Sequence, residues 1–159
     1  MDEKELKSKK SALSQLHHVA IVVSDIEKAI KYYSSIGLGP FESYPPITDY
    51  IKINVPDESA FYNLKIKVVQ AGPVSIQLIQ PGEGKTIYRD FLEKRGEGVF
   101  HLGFVVDDIE QEEAELQKLG LKVLSSGRRA DGSGFTYFYT SEIGGVNVLI
   151  RQNPKEIKK

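Results

Sequence analysis

The sequence contains no cysteine. That excludes disulfides and thiolate metal sites, and makes a reducing cytoplasm the expected location. No apolar run approaches the roughly 18–20 residues that a membrane-spanning helix needs, so no membrane association is expected. The opening MDEKELKSKKSALSQ carries charges but no apolar stretch, which argues against a secretory leader. Charge of one sign is also missing: 21 Lys and Arg balance 22 Asp and Glu, for a net charge of −1. A basic footprint for nucleic acid is therefore absent. There is no Walker loop, dinucleotide fingerprint or Ser-His-Asp order. GEGK at 82–85 is too short to cradle a phosphate and reads as a turn before a helix. Histidine is scarce, with three in 159 residues.

Two of those histidines mark an internal repeat. Residues 18–38, HVAIVVSDIEKAIKYYSSIGL, match 101–121, HLGFVVDDIEQEEAELQKLGL, at an offset of 83, with eight of 21 positions identical. Two copies do not make a solenoid, which stacks several units. They suggest two halves that build one site, with His18 and His101 pointing at the same place from related strands.

The patterning supports a common plan in each half. LHHVAIVV (16–23) reads as a strand, and Ser24 and Asp25 are good helix starters. Ile26, Ala29, Ile30 and Tyr33 then recur at helical spacing, and Gly37 and Gly39 end the helix. Residues 40–60 are proline-rich and irregular, with at most a short strand near Phe41–Tyr44. Residues 62–81 read as two strands around Gly72-Pro73, and 85–96 as a helix linking the halves. In the second half a strand at 99–106, a helix at 107–119 and strands near 121–125, 134–141 and 145–152 repeat the plan. The expected division is an N-terminal arm (1–14), a first βαβββ module (15–81), a linker helix (82–97), a second module (98–152) and a tail (153–159).

Strand alternation sorts side chains onto two faces. GPVSIQLI at Gly72 aligns with GGVNVLIR at Gly144, an offset of 72. Val74, Ile76 and Leu78, with Val146, Val148 and Ile150, are expected under the helices. Ser75, Gln77, Asn147 and Leu149 face the other way. By the same parity Leu64, Ile66 and Val68 go to the helix side, while Lys65, Lys67, Tyr137 and Tyr139 go to the cleft. His18 shares a face with Ala20, and His101 with Gly103; these small neighbours are expected to leave open space in a polar cleft. His17 faces away from His18 and reads as structural.

The segments LHHVAIVVSDIEKAIKYY, SIQLIQP, FLEKRGEGVFHLGFVVDDIE and GGVNVLI resemble the vicinal oxygen chelate superfamily over about residues 16–152. That superfamily includes glyoxalase I, methylmalonyl-CoA epimerase, extradiol dioxygenases and fosfomycin or bleomycin resistance proteins, and the likeness is closest to its epimerase-like branch. The resemblance implies an α+β fold in which two paired βαβββ modules form a cupped, open β-barrel-like cleft. It implies a divalent metal (Zn, Co, Ni or Fe) on His18, Gln77 and His101. A fourth, glutamate ligand is implied at a position held here by Leu149, so the one carboxylate is lost and the two-His, one-carboxylate triad of an extradiol dioxygenase is incomplete. A homodimer is the expected assembly.

Two functions follow. One is a metal-dependent isomerase or lyase of the epimerase or glyoxalase I kind, acting through a metal-stabilised enolate on methylmalonyl-CoA or a related acid. The other is a metal-free protein that sequesters a small planar ligand by stacking on Phe135, Tyr137 and Tyr139. Candidate substrate contacts are Lys65, Lys67, Tyr137, Tyr139, Asn147, Leu149 and Arg128, with Arg129 beside it in a Gly127–Gly134 loop that reads as a lid. Lys67, Tyr139 and Glu58 are the candidate acid-base groups.

Overall fold

The computed structural model describes residues 2–4, 13–45, 47 and 50–154. The expected arm and tail lie mostly outside the described residues. The first half runs β1 (Leu16–Val22), α1 (Ile26–Ser35), β2 (Glu42–Ser43), β3 (Tyr50–Asn54), α2 (Glu58–Tyr62), β4 (Lys65–Ala71) and β5 (Val74–Gln80). Helix α3 (Ile87–Arg95) links it to β6 (Gly98–Val105), α4 (Ile109–Lys118), β7 (Val123–Arg129), β8 (Gly134–Phe138), α5 (Ser141–Gly144) and β9 (Asn147–Gln152).

All nine strands join one sheet in the order β2-β4-β5-β1-β6-β9-β8-β7-β3. Outward from the central β1–β6 pair, β1-β5-β4-β2 mirrors β6-β9-β8-β7. The β1–β6 pairing is antiparallel, and each half adds a parallel neighbour, β5 on β1 and β9 on β6. This is the α+β, two-module architecture expected from the repeat. Strand β3 breaks the symmetry. It falls in the stretch expected to be irregular, leaves the first half, and pairs with β7 at the far edge.

The helix starts are chemical. The Asp25 and Asp108 side chains accept from the Lys28 and Gln111 amides, capping α1 and α4. Gln80 and Gln152, at the ends of β5 and β9, accept from the first helical amides of those helices, Ile26 and Ile109, at 2.9 and 3.0 Å. Four amides at a helix N-terminus lack intrahelical partners, and these side chains satisfy some of them in both halves. The stripe of α1 packs as its spacing predicts: Ile26, Ala29, Ile30 and Tyr33 cover Leu78 on the convex face. Val106, Ile109, Phe138 and Ile150 form the matching layer in the second half. Each fully buried side chain of this type contributes about 1.5–3 kcal/mol. The concave face carries the remaining core, from Ala20 and Val22 to Phe100, Phe135, Tyr137 and Leu149.

Candidate functional site

A row of three imidazoles runs from His101 through His18 to His17, and His18 forms the floor of the concavity. His18 Nε2 and His101 Nε2 lie 2.8 Å apart across the β1–β6 junction, with ring planes nearly perpendicular. His17 sits on the opposite face of β1, yet its Nδ1 reaches His18 Nδ1 at 2.8 Å. It is thus bonded to His18 rather than apart from it. Both inner rings are buried, His101 completely. Burial, then the neighbouring His17 and Arg151, push the His18 pKa down to about 3. Burial and then His18 hold His101 well below the ordinary imidazole value. Both are neutral at pH 7.

Hydrogen-bond accounting assigns the tautomers. Buried His101 Nδ1 has no partner among the described residues. A stranded N–H donor costs the desolvation of that group, so the proton sits on Nε2 instead. His101 Nε2–H then donates to His18 Nε2, and His18 Nδ1–H donates to His17 Nδ1. Gly103, opposite His18 in the β1–β6 register, makes the pair possible. A Cβ there would fall 2.1 Å from His18 Cε1. The space expected beside the histidines is therefore filled by the His18 ring itself.

Above this floor lies a cavity of about 70 Å³ bordered by His18, Gln77, Leu149 and Tyr137. Its walls are aromatic: Tyr44, Tyr50, Phe61, Tyr88 and Phe135 join Tyr137. The Tyr88 and Tyr137 hydroxyls bond each other, and burial raises the pKa of both. The cleft is thus more aromatic and less polar than the alternation suggested.

Several predicted contacts point elsewhere. In the β4–β5 register Ile66 pairs with Ile79 and Lys67 with Leu78. Leu64 and Ile66 therefore line the cavity, while Lys65 and Lys67 face outward, Lys67 donating to Ser43 at 2.8 Å. The error is one of register. The β4–β5 turn takes two residues and the β8–β9 connection, with α5, takes eight. Gln77 matches Leu149 at an offset of 72, but Val68, paired with Gln77, matches Tyr137, paired with Leu149, at 69. An odd slip of three reverses every side chain.

Glu58 is exposed in the first turn of α2. Tyr139 is 42% exposed, past the end of β8 and outside the cavity wall. Asn147 is buried, but its carboxamide oxygen accepts from the Thr140 and Ser141 amides at 3.2 and 3.1 Å. Arg128 lies on the convex side, bonded to Glu110 and Glu113 at 2.6 Å each and to Thr136. The expected lid is a β7–β8 hairpin, closed by Arg129 N–H donating to the Ser133 carbonyl at 2.8 Å. Residues that sequence reasoning missed include Tyr44, Tyr50, Phe61, Tyr88 and Arg151. Arg151 had a signal: it shares parity with Asn147 and Leu149 on β9.

The donor set does not fit a divalent ion of the kind the resemblance implies. Two imidazoles and Gln77 are neutral, and Leu149 offers no oxygen. Using both Nε2 atoms as ligands would force a proton onto His101 Nδ1, where no acceptor waits. Among the described residues, the charged ones bordering the cavity are Arg129 and Arg151, which repel a dication. Among the described residues no three His, Cys, Asp or Glu converge.

Known proteins match this chain over most of its length. A mitochondrial methylmalonyl-CoA epimerase from Bos taurus is 27% identical over 143 residues, covering 88% of this chain and 75% of that one. An ethylmalonyl-CoA/methylmalonyl-CoA epimerase from Cereibacter sphaeroides is 28% identical over 145 residues, covering 88% and 98%. The crystal structure of methylmalonyl-CoA epimerase from Mycobacterium tuberculosis superposes with a TM-score of 0.65 at 22% identity, covering 93% of each chain. A Streptomyces coelicolor methylmalonyl-CoA epimerase in complex with 2-nitronate-propionyl-CoA gives 0.67 at 20% identity, covering 90% and 99%. These structures share the fold. Residues 17–139, which hold both histidine strands and the cavity walls up to β8, match one family; this chain belongs to the glyoxalase/bleomycin resistance protein/dioxygenase superfamily.

Proposed function

We propose that the chain is an epimerase-like isomerase acting on a small acid or acyl thioester, methylmalonyl-CoA being the first compound to test. One observation carries this reading: His18, a buried, neutral imidazole bonded from behind by His101, borders a cavity between two related half-sheets. The relatives' names supply the reaction type.

Epimerisation removes a proton from the carbon beside a carbonyl and returns one to the other face, through an enolate. His18 borders the cavity and is neutral; its Nε2 lone pair holds the His101 N–H, so His18 accepts that proton once the His101 ring turns this N–H away. An anionic substrate beside it raises its proton affinity. The charge gained on His18 is stabilised by His17 Nδ1, which accepts from His18 Nδ1–H. Negative charge developing on the substrate oxygen faces the Arg151 guanidinium and the Tyr88–Tyr137 hydroxyl pair. The divalent ion implied by the resemblance would have to rest on His18, Gln77 and His101 alone, and this proton transfer does not depend on it.

A second reading, a metal-free ligand-binding protein, is favoured by Leu149 and the aromatic walls. Incubation with methylmalonyl-CoA in D2O separates the two, with loss of the α-proton signal followed by NMR. Exchange in the wild type, lost in His18→Ala and His101→Ala, supports the isomerase. No exchange with EDTA, Zn or Co leaves the binding protein.

A further inference from the structure

Among the described residues the cavity is bordered by two cations, Arg129 and Arg151, and by no Asp or Glu. Arg128, next in sequence to Arg129, is neutralised by two carboxylates on the other side of the sheet. Arg129 instead lies over the Tyr50 ring, its guanidinium carbon 4.5 Å from the centroid, and donates to the Tyr50 hydroxyl at 3.1 Å. Arg151 has no carboxylate partner among the described residues, and its Nε is buried without a hydrogen bond. A buried guanidinium N–H left unpaired costs free energy that a charged acceptor would recover. Arg151 also stands two residues beyond Leu149 on the same face of β9, so a cation lies beside the position where a metal-binding carboxylate is missing.

The space fits the charge. Six aromatic rings wall the cavity, a surface that favours a flat ligand. At about 30 Å³ per water in the liquid, its 70 Å³ takes about two waters, the room of a carboxylate group.

We propose that Arg151, with Arg129 at the rim, anchors the carboxylate of a small planar acid, so that a guanidinium supplies here the positive charge that a divalent metal would otherwise bring. This rests on the reading that the cavity is the ligand site, and it names the ligand class. Planar guanidinium meets carboxylate through two parallel hydrogen bonds, and no metal is required.

The test uses the full chain, treated with EDTA, and benzoate as the probe, with benzamide as its uncharged isostere, by titration calorimetry or ligand-observed NMR. Benzoate is expected to bind at least tenfold more tightly than benzamide. Arg151→Gln, with its fold checked by circular dichroism, is expected to weaken benzoate at least tenfold and leave benzamide unchanged. Arg129→Gln is expected to weaken benzoate about threefold, and tests the rim if the first variant does not fold. Equal binding of the two probes, no binding of benzoate, preference for inorganic phosphate, or benzoate binding that needs added Zn or Co would each overturn the proposal. Benzoate binding without α-proton exchange on methylmalonyl-CoA would sink the isomerase and leave the anion site standing; exchange without benzoate binding would do the reverse.

Discussion

The His18 ring lies directly on the backbone of Gly103, where any side chain would occupy the same space. The substitution Gly103→Ala is therefore expected to push the ring off its position and break the bond to His101. Overpacking of this kind costs about 1–3 kcal/mol. The denaturant midpoint measures the cost, and the histidine ring resonances report whether the pair survives. Unchanged ring shifts would show that the strands can part to make room.

Leu149→Glu places a carboxylate beside the imidazole pair. Without metal the variant is expected to melt at lower temperature than the wild type, because a buried carboxyl lacks a partner. With Zn or Co it is expected to bind at least tenfold more tightly than the wild type and to regain its melting temperature. Calorimetry and thermal melts read both effects. No gain in affinity would mean that His18, Gln77 and His101 do not converge on an ion.

Acid is expected to unfold the protein through its histidines. His18, held at about 3 by burial first, and His101, also depressed by burial, stay neutral in the fold. In the unfolded chain each protonates near 6.5. The unfolded state then binds more protons between those limits, so this stability is complete above pH 6.5 and is lost as pH falls toward 3. The urea midpoint is expected to drop between pH 7 and 5, and the His18→Asn/His101→Asn variant to show a flatter profile. A wild-type midpoint insensitive to pH over that range would count against the buried neutral pair.

The two adjacent arginines of β7 are expected to separate by phenotype. Arg128 is tied to Glu113, which also accepts from Thr136. Glu113→Ala is expected to cost about 1–3 kcal/mol by removing the more buried of Arg128's two carboxylate partners and the acceptor of the Thr136 hydroxyl, with benzoate binding unchanged. Arg129→Gln should move binding and leave the melting temperature nearly constant. The opposite pattern would reverse the assignment of faces. Lys67→Ala, on the convex side beside Ser43, should alter neither.

Much of this architecture is legible in the residues. The 83-residue repeat locates His18 and His101, and Asp25 and Asp108 announce the helices they cap. The sequence also supports the faces of β5 and β9, because strand alternation within a single turn-bounded segment is unambiguous. Lys65 and Lys67 are misassigned by the offset because Val68 and Gln77 pair nine residues apart while Tyr137 and Leu149 pair twelve apart, and no pattern within β8 shows where its register lies. Strand β3 is hidden by its neighbourhood: Ile51, Ile53 and Val55 alternate with Lys52 and Asn54, but Pro45, Pro46 and Pro56 flank the run, and its partner, β7, is distant in sequence. Tyr88 belongs to the linker helix, whose approach to the cleft no local pattern encodes. Arg151 could have been found from parity with Leu149 alone.

Strand β3 also sets an order of events during synthesis. Ile53 pairs with Gly127, which a ribosome adds 74 residues later. At about 5–20 residues per second, β3 waits roughly 4–15 s for its partner. During that interval Ile51, which remains 67% exposed even in the finished fold, belongs to an unpaired, partly apolar edge. The nascent chain is therefore most vulnerable to association with other chains after its first half is complete and before β7 emerges, and Lys52, between Ile51 and Ile53, is the charge that protects it.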